Sequence, residues 1–288
     1  MPDPVSTGPI AVLGTGIIGA AVARNLARKG FAVRAWNRSA DKAKALEPDG
    51  VTPFEDVTEA VRGAAMVLTV LKDGPAVLEA MEAARPALGK GSIWLQLSTV
   101  GIEATDRLAA FAGEADLVFY DAPVLGTRQP AEQGKLVILG SGPVEGREHA
   151  QPVFDAIGQR TIWVGEAAGA SSRLKLALNS YVFVLTHGTA ETLRIAEALG
   201  VDPRLVLEAL TGGQLDSGYL QGKGGAMLSG DWTTSFSLDN GIKDARLIVE
   251  ALAGTGVRAD LAEAGLARFE RASEAGHGDK DIAASFLA

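Results

Sequence analysis

The chain has 288 residues, of which 47% are hydrophobic, and a formal net charge of −8. This length allows two domains with ample cores, and the acidic balance argues against a nucleic-acid partner, which would need a basic face. The absence of cysteine excludes disulfides, thiol catalysis and thiolate metal sites, and His149, His187 and His277 match no zinc spacing.

The sequence contains neither a targeting signal nor a membrane-spanning segment of the usual kind. Residues 1–9 lack a basic region followed by an apolar stretch, so we expect no signal peptide. The longest apolar run, residues 64–71, is too short to cross a bilayer. We therefore expect a cytoplasmic protein with no membrane partner.

A glycine-rich segment near the N-terminus separates two apolar runs. Residues 10–13 are typical of a buried parallel strand, residues 18–29 are predicted to form a helix that Gly30 ends, and residues 31–36 predict a second strand. In such a unit the glycines allow a tight turn, close approach of the backbone to a diphosphate, and close packing of helix on strand. The predicted dinucleotide contacts are Gly14, Thr15, Gly16, Ile17, Ile18 and Gly19.

The end of the second strand indicates which dinucleotide binds. NAD sites usually carry Asp or Glu there, accepting from the ribose 2′-hydroxyl, whereas this chain has Asn37, Arg38 and Ser39. A guanidinium pairs with a 2′-phosphate and a hydroxyl can donate to it. Charge-assisted hydrogen bonds of about 1.5–3 kcal/mol favour the phosphorylated form by one to two powers of ten. The sequence therefore predicts NADP(H).

Further apolar runs alternate with helical stretches through the first half of the chain. Predicted strands cover residues 66–71, 92–97, 117–121, 135–140 and 161–164. Predicted helices between them cover residues 75–87, 102–112 and 143–156. This alternation predicts an α/β fold, a Rossmann-type doubly wound parallel sheet.

After residue 164 the strand signal stops, and helices are predicted over residues 168–199, 239–254 and 259–275. Gly200 is predicted to end the long first helix, and Asp202-Pro203 to cap the helix that follows it. We therefore expect an NADP-binding domain at residues 1–165 and an all-α domain at residues 166–288. The long helix is expected to join them.

That long helix carries a polar stripe. Ser172, Lys175, Asn179 and Thr186 share one face at helical spacing. A lysine that extends its ammonium to water explains the stripe without a function. The functional alternative has Lys175 over a nicotinamide, giving a proton to a carbonyl oxygen as hydride reaches the carbon, with Asn179 positioning that oxygen or the lysine.

Four ordered motifs resemble those of the β-hydroxyacid dehydrogenases, which include 3-hydroxyisobutyrate dehydrogenases and glyoxylate/succinic semialdehyde reductases. The first is the glycine loop. The second, residues 121–136, is similar to the family's substrate loop. The third, Gly169 with Lys175 and Asn179, is similar to its catalytic helix. The fourth, Phe236 with Lys243 and Asp244, is similar to its C-terminal segment. Residues 276–281 also resemble its closing stretch, and residues 130–136 most resemble the reductase branch.

The resemblance implies a reversible, NADPH-dependent reduction of a small aldehyde or keto acid, with Lys175 as general acid/base and Asn179 as its partner. It also implies homodimers or homotetramers built largely by the helical domain. The implied substrate contacts are Thr99, Leu125, Gly126, Thr127, Phe236 and Asp244. The implied further cofactor contacts are Leu71, Thr99 and Lys243.

Two residues depart from the family pattern. Leu125 stands where the family usually has a serine that contacts the substrate carboxylate, so one hydrogen bond is lost and a carboxylate requirement stays open. Arg128 either restores charge there or lies exposed. Ser171 stands where the family commonly has its second helix-start glycine.

Two other functions remain as alternatives. Imine reductases often have an apolar residue followed by Gly-Thr in this loop, as in Leu125-Gly126-Thr127, but generally lack the lysine, so Lys175 favours a carbonyl substrate. A non-catalytic NADP-binding module would share the glycine loop. It would have no reason to keep Lys175 and Asn179 on one stripe.

Overall fold

The computed structural model describes residues 8–288. The expectation for residues 1–9 therefore lies almost wholly outside the described residues. The chain divides into two compact units: an N-terminal unit that ends at Lys175 and a C-terminal unit of Leu176–Ala288. This division falls inside the long helix, and the domain boundary near residue 165 stays a prediction.

Within residues 8–288, the N-terminal unit contains one sheet of nine strands. The strands are β1 (Ile10–Leu13), β2 (Val33–Trp36), β3 (Thr52–Phe54), β4 (Met66–Thr69), β5 (Ile93–Gln96), β6 (Val118–Asp121), β7 (Val124–Leu125), β8 (Leu136–Ser141) and β9 (Gly158–Gly165). Their order is β3-β2-β1-β4-β5-β6-β8-β7, and β9 pairs with β8. Strands β1 to β6 pair in parallel, which confirms the predicted mostly parallel sheet.

One edge of the sheet differs from the prediction. Strand β8 is antiparallel to β6 and β7, and parallel to β9. The two-residue strand β7 is too short to show a periodicity, so its pairing, Val124 with Ile138 and Leu125 with Val137, is visible only in the fold. Strand β3 was not predicted either.

The helices of the N-terminal unit lie between its strands. They are α1 (Ile17–Arg28), α2 (Ala40–Lys44), α3 (Val57–Val61), α4 (Gly74–Ala84), α5 (Ile102–Glu114), α6 (Arg128–Glu132) and α7 (Arg147–Ile157). The long helix is α8 (Ala170–Ala198), close to its predicted bounds. The helices after it are α9 (Arg204–Leu210), α10 (Gly218–Ser229), α11 (Leu238–Leu252) and α12 (Asp260–Ala272). Helix α10 was not predicted, and among residues 8–288 no helix is long and apolar enough to cross a membrane.

Strand β1 is buried on both faces, as expected for the central strand of a parallel sheet. Ile10 and Val12 join an apolar cluster with Leu26 on one side of the sheet. Ala11 and Leu13 join a second cluster with Trp94 on the other side. Helices therefore cover both faces of the sheet, which is the doubly wound arrangement.

The C-terminal unit is held by aromatic contacts and by a buried carboxylate. The Phe183 ring stacks on Phe236 at 6.3 Å between centroids and meets Phe269 edge-on at 5.3 Å. Asp281 accepts from the backbone N–H of Phe236 at 3.2 Å and pairs with the Lys223 ammonium at 2.5 Å. These contacts position the segment that leads into α11.

Candidate active site

The glycine turn joins β1 to α1. Gly14 has φ of +103°, and a Cβ there would lie 2.2 Å from the Val70 carbonyl oxygen. A Cβ on Gly19 would lie 1.9 Å from the Gly14 carbonyl oxygen, so both positions admit only glycine. A Cβ on Gly16 would meet nothing within 4 Å, which leaves open space beside the backbone at the helix start.

This turn has the features that a diphosphate requires. The first N–H groups of α1 carry the partial positive charge of the helix N-terminus, and its first turn contains no acidic residue. The Thr15 hydroxyl is buried and has no hydrogen-bond partner within residues 8–288. A buried hydroxyl without a partner is uncommon in native proteins unless a ligand or water satisfies it. The residues present therefore fit a dinucleotide diphosphate.

Asn37 ties this turn to the end of β2. Its side-chain oxygen accepts from the Thr15 N–H at 3.1 Å, and its amide nitrogen donates to the Ser39 carbonyl oxygen at 3.2 Å. Arg38 and Ser39 are exposed. Ser39 occupies the N-cap position of α2, but its hydroxyl makes no capping bond. Asn37 thus shapes the loop, while the guanidinium and hydroxyl beside it face solvent.

A buried polar network lies at the carboxyl ends of β4 and β5. The Leu71 N–H donates to the Ser98 hydroxyl at 2.9 Å, and Gln96 exchanges hydrogen bonds with both backbone groups of Ser98 at 2.7 and 2.8 Å. This network holds the backbone of Leu71, a predicted site residue, and the strand end at Ser98, which Thr99 follows directly. Gln96 and Ser98 were not singled out in the sequence, although two polar residues at the end of an apolar strand are a usable signal.

The predicted substrate loop combines a short strand with a glycine turn. Leu125 is half-buried on β7. Gly126 has φ of +133°, and a Cβ there would lie 2.9 Å from the Leu136 side chain, so this position needs glycine. Thr127 is the N-cap residue of α6, and Arg128, which follows it, is half-buried rather than exposed.

Helix α8 carries both proposed catalytic residues. Lys175 and Asn179 are one helical turn apart and only 8% and 4% exposed. A lysine that extends its ammonium into water does not account for this burial. In the C-terminal unit, the Asn179 amide nitrogen donates to Asp244 Oδ2 at 2.8 Å. The Lys243 ammonium lies 2.6 Å from Asp244 Oδ1 as a charge pair.

Each unit thus gathers its own share of the predicted residues. The N-terminal unit brings together the glycine turn with Asn37, and Leu71 with the strand end before Thr99. The C-terminal unit brings together Asn179, Lys243 and Asp244, and it holds Phe236 through the buried Asp281. Within the N-terminal unit the glycine turn fits a dinucleotide diphosphate, and within the C-terminal unit the Asp244 carboxylate orients the Asn179 amide.

Two family models match the chain. Residues 9–165 match the NAD binding domain of 6-phosphogluconate dehydrogenase. Residues 169–287 match the model described as NAD-binding of NADP-dependent 3-hydroxyisobutyrate dehydrogenase.

Individual relatives extend over nearly the whole chain. Glyoxylate/succinic semialdehyde reductase 1 of Arabidopsis thaliana is 30% identical over 281 residues, covering 96% of each chain. The structure of Mycobacterium tuberculosis 3-hydroxyisobutyrate dehydrogenase with L-serine has a TM-score of 0.86 and 26% identity, covering 98% of this chain and 99% of that one. An imine reductase from Pseudomonas sp. has a TM-score of 0.67 and 22% identity, covering 98% and 99%, and so shares the fold.

Proposed function

The chain belongs to the family of NAD(P)-dependent β-hydroxyacid dehydrogenases, and we propose that it is an NADPH-dependent reductase of a small aldehyde or keto acid. The proposed substrates are of the glyoxylate or semialdehyde type, and the reverse reaction oxidises the hydroxy acid. The observation that carries this proposal is the buried lysine of α8 followed, one turn later, by an asparagine held by Asp244.

The preference for NADPH is supported by the end of β2. Arg38 and Ser39 are exposed there, and neither they nor Asn37 is a carboxylate that would repel a 2′-phosphate. The match to a model named for an NADP-dependent dehydrogenase agrees with this choice. When bound, the nicotinamide supplies the hydride.

We assign the proton to Lys175. Its Nζ gives a proton to the substrate oxygen in reduction and takes it back in oxidation, which is general acid/base catalysis. Because the Asp244 carboxylate can only accept from it, the Asn179 side chain must turn its amide nitrogen toward Asp244. The carboxamide oxygen of Asn179 is then left for the lysine ammonium or a substrate hydroxyl.

Leu125 affects which substrates we expect, in particular whether they need a carboxylate. A leucine offers no hydrogen bond to a carboxylate, so we expect uncharged aldehydes to compete with keto acids better than in an enzyme with serine there. An imine is the alternative substrate, and the shared fold of the imine reductase makes it worth testing. An iminium needs no proton, so Lys175 favours the carbonyl.

The decisive experiment is a turnover panel with NADPH and with NADH. With these reduced cofactors it covers glyoxylate, succinic semialdehyde, an uncharged aldehyde and a cyclic imine. The 3-hydroxy acids are tested in the reverse direction, with NADP+ and with NAD+. We expect NADPH-dependent turnover of at least one carbonyl. Turnover of the imine alone would reverse the assignment, and cofactor binding without any turnover would favour a non-catalytic module.

We also propose that the protein is a homodimer or homotetramer assembled through the C-terminal unit. Apolar side chains there are exposed on several helices, among them Tyr181 on α8, Leu205 on α9 and Leu261 on α12. Light scattering coupled to size exclusion measures the assembly, and a monomer at micromolar concentration would contradict it.

A further inference from the structure

Asp121, the last residue of β6, is fully buried. Both oxygens of its carboxylate accept hydrogen bonds from the start of helix α8. Its Oδ2 accepts from the backbone N–H groups of Gly169 at 3.0 Å and Ser172 at 2.9 Å. Its Oδ1 accepts from the Ser172 hydroxyl at 2.8 Å. The residue opens the predicted substrate loop, yet its carboxylate faces the start of the helix that carries Lys175.

These N–H groups are among those that a helix start leaves without intrahelical partners. A carboxylate satisfies them and also interacts favourably with the helix dipole. Most caps come from the residue just before the helix. This cap comes from a residue 48 to 51 positions earlier in the chain, so it attaches the helix start to the end of a sheet strand.

Neighbouring contacts strengthen the attachment. The Ser141 hydroxyl, at the end of β8, accepts from the Ser171 N–H at 3.2 Å. The Ser172 hydroxyl lies 3.0 Å from that of Thr105 on α5. The first turn of α8 is therefore bonded to two strands and one helix of the N-terminal unit.

The side chain of Asp121 is fully buried, which disfavours its ionised form. Burial raises the pKa of Asp121, although the donors on Ser172, Gly169 and Ser141 oppose that rise. An uncharged asparagine would cap the helix with a smaller desolvation penalty. The aspartate instead offers two strong acceptor oxygens, and these hold both the backbone and the side chain of Ser172.

We propose that Asp121 is a positioning residue for Lys175, setting the rotation and axial position of the first turns of α8. Lys175 follows Ser172 by three residues, a rise of about 4.5 Å along the helix. Its side chain leaves the helix toward the N-terminal turn that Asp121 holds. Since a misplacement of about 1 Å can slow a reaction about 10²-fold, a loosened helix start lowers turnover. This inference rests on the role of Lys175 proposed above.

The first test uses cofactor-free protein and needs no activity. Hydrogen exchange of the peptide spanning Gly169 to Ser172 is compared among wild type, D121A and D121N. We expect exchange in D121A to be roughly 2- to 30-fold faster, as for a lost cap. D121N retains an oxygen acceptor and stays near wild type. Unchanged exchange in folded D121A would remove the structural basis of the proposal.

The second test measures the reaction. We expect D121A to lower kcat by about 10²-fold, to leave the Kd of NADPH within about threefold of wild type, and to raise the isotope effect from NADPH deuterated at nicotinamide C4. D121N restores most of kcat. S172A is a milder change that removes the hydroxyl donor to Asp121 Oδ1, and we expect it to lower kcat several-fold. It replaces D121A in this test if D121A does not fold.

A matched control is D56A. Asp56 caps α3 in the same unit, accepting from the N–H groups of Thr58 at 2.7 Å and Glu59 at 3.1 Å. We expect its loss to leave kcat unchanged, so an equal fall in D56A would overturn a specific role for Asp121. Wild-type kcat in folded D121A or S172A, when K175A is inactive, would overturn this inference alone. Wild-type turnover in K175A would instead reject the proposed mechanism, whatever the exchange result.

Discussion

The side-chain amide of Asn179 donates a 2.8 Å hydrogen bond to the carboxylate of Asp244, and both residues are buried. The other oxygen of that carboxylate lies 2.6 Å from the Lys243 ammonium. One carboxylate thus orients an amide and balances a cation. The orientation of Asn179 depends on a residue 65 positions away in the chain.

The first prediction concerns this carboxylate. Asp244→Asn removes the charge that holds Lys243 and allows the Asn179 amide to turn. A hydrogen bond to a charged group is worth about 1.5–3 kcal/mol, so we expect kcat to fall about 10- to 100-fold in steady-state assays. Asp239→Asn is the matched control, because Asp239 lies on the same helix but is exposed. Full activity in folded Asp244→Asn would contradict the prediction.

The second prediction concerns Lys175, the proposed proton donor. Lys175→Ala should lower kcat by about 10²–10⁴-fold, the usual contribution of general acid catalysis. The Kd of NADPH, measured by nicotinamide fluorescence, should change little. Lys90→Ala is the control, since its side chain is 86% exposed and pairs with Asp116. Comparable losses in both variants would show that Lys175 has no special part.

The third prediction separates the two cofactors. Arg38→Asp places a carboxylate beside the expected 2′-phosphate, so the KM for NADPH should rise about 10- to 100-fold while that for NADH changes little. The preference of the wild type should also weaken with rising salt, because Arg38 is exposed. An unchanged ratio of kcat/KM for the two cofactors would rule out this role of Arg38.

The fourth prediction distinguishes Asn37 from Arg38. Asn37→Ala removes the bonds to the Thr15 N–H and the Ser39 carbonyl, which loosens the turn that is predicted to hold the diphosphate. Two hydrogen bonds of about 0.5–1.5 kcal/mol each correspond to a weakening of binding by about tenfold. Isothermal titration should find this loss for NADPH and NADH alike, and a loss confined to NADPH would mean that Asn37 contacts the phosphate.

The fifth prediction concerns stability in acid. Burial, with help from Arg268 and Arg271, lowers the pKa of His187 to about 4. In the unfolded chain this histidine is protonated below about pH 6.5. The free energy of unfolding therefore decreases as the pH falls from about 6.5 toward 4, by up to about 3 kcal/mol.

His187→Gln should flatten this dependence in urea unfolding measured between pH 7 and 4. His149→Gln is the control, because the His149 side chain is 44% exposed. An unaltered pH dependence in His187→Gln would show that another group is responsible.

Local sequence was enough to predict the first β-α-β unit. The apolar run before Gly14, the glycine spacing and the helix after it depend on sterics and periodicity within about 30 residues, so the pattern is complete in the sequence. The mostly parallel sheet and helix α8 were predicted on the same grounds. The antiparallel pairing of β7 with β8 could not be predicted in this way. A strand of two residues is too short to show a hydrophobic periodicity, and its pairing partner depends on how the sheet packs.

The sequence by itself determined the first β-α-β unit and predicted which residues bind a dinucleotide and which exchange a proton, because those predictions depend on residue type and spacing. Only the tertiary structure decided what holds them in place. Asn37 bonds to Thr15, Asp244 to Asn179, and Asp121 to the start of α8. In each pair the two residues are far apart in the sequence. A buried polar group forms its hydrogen bond with whichever partner the packed fold brings within about 3 Å.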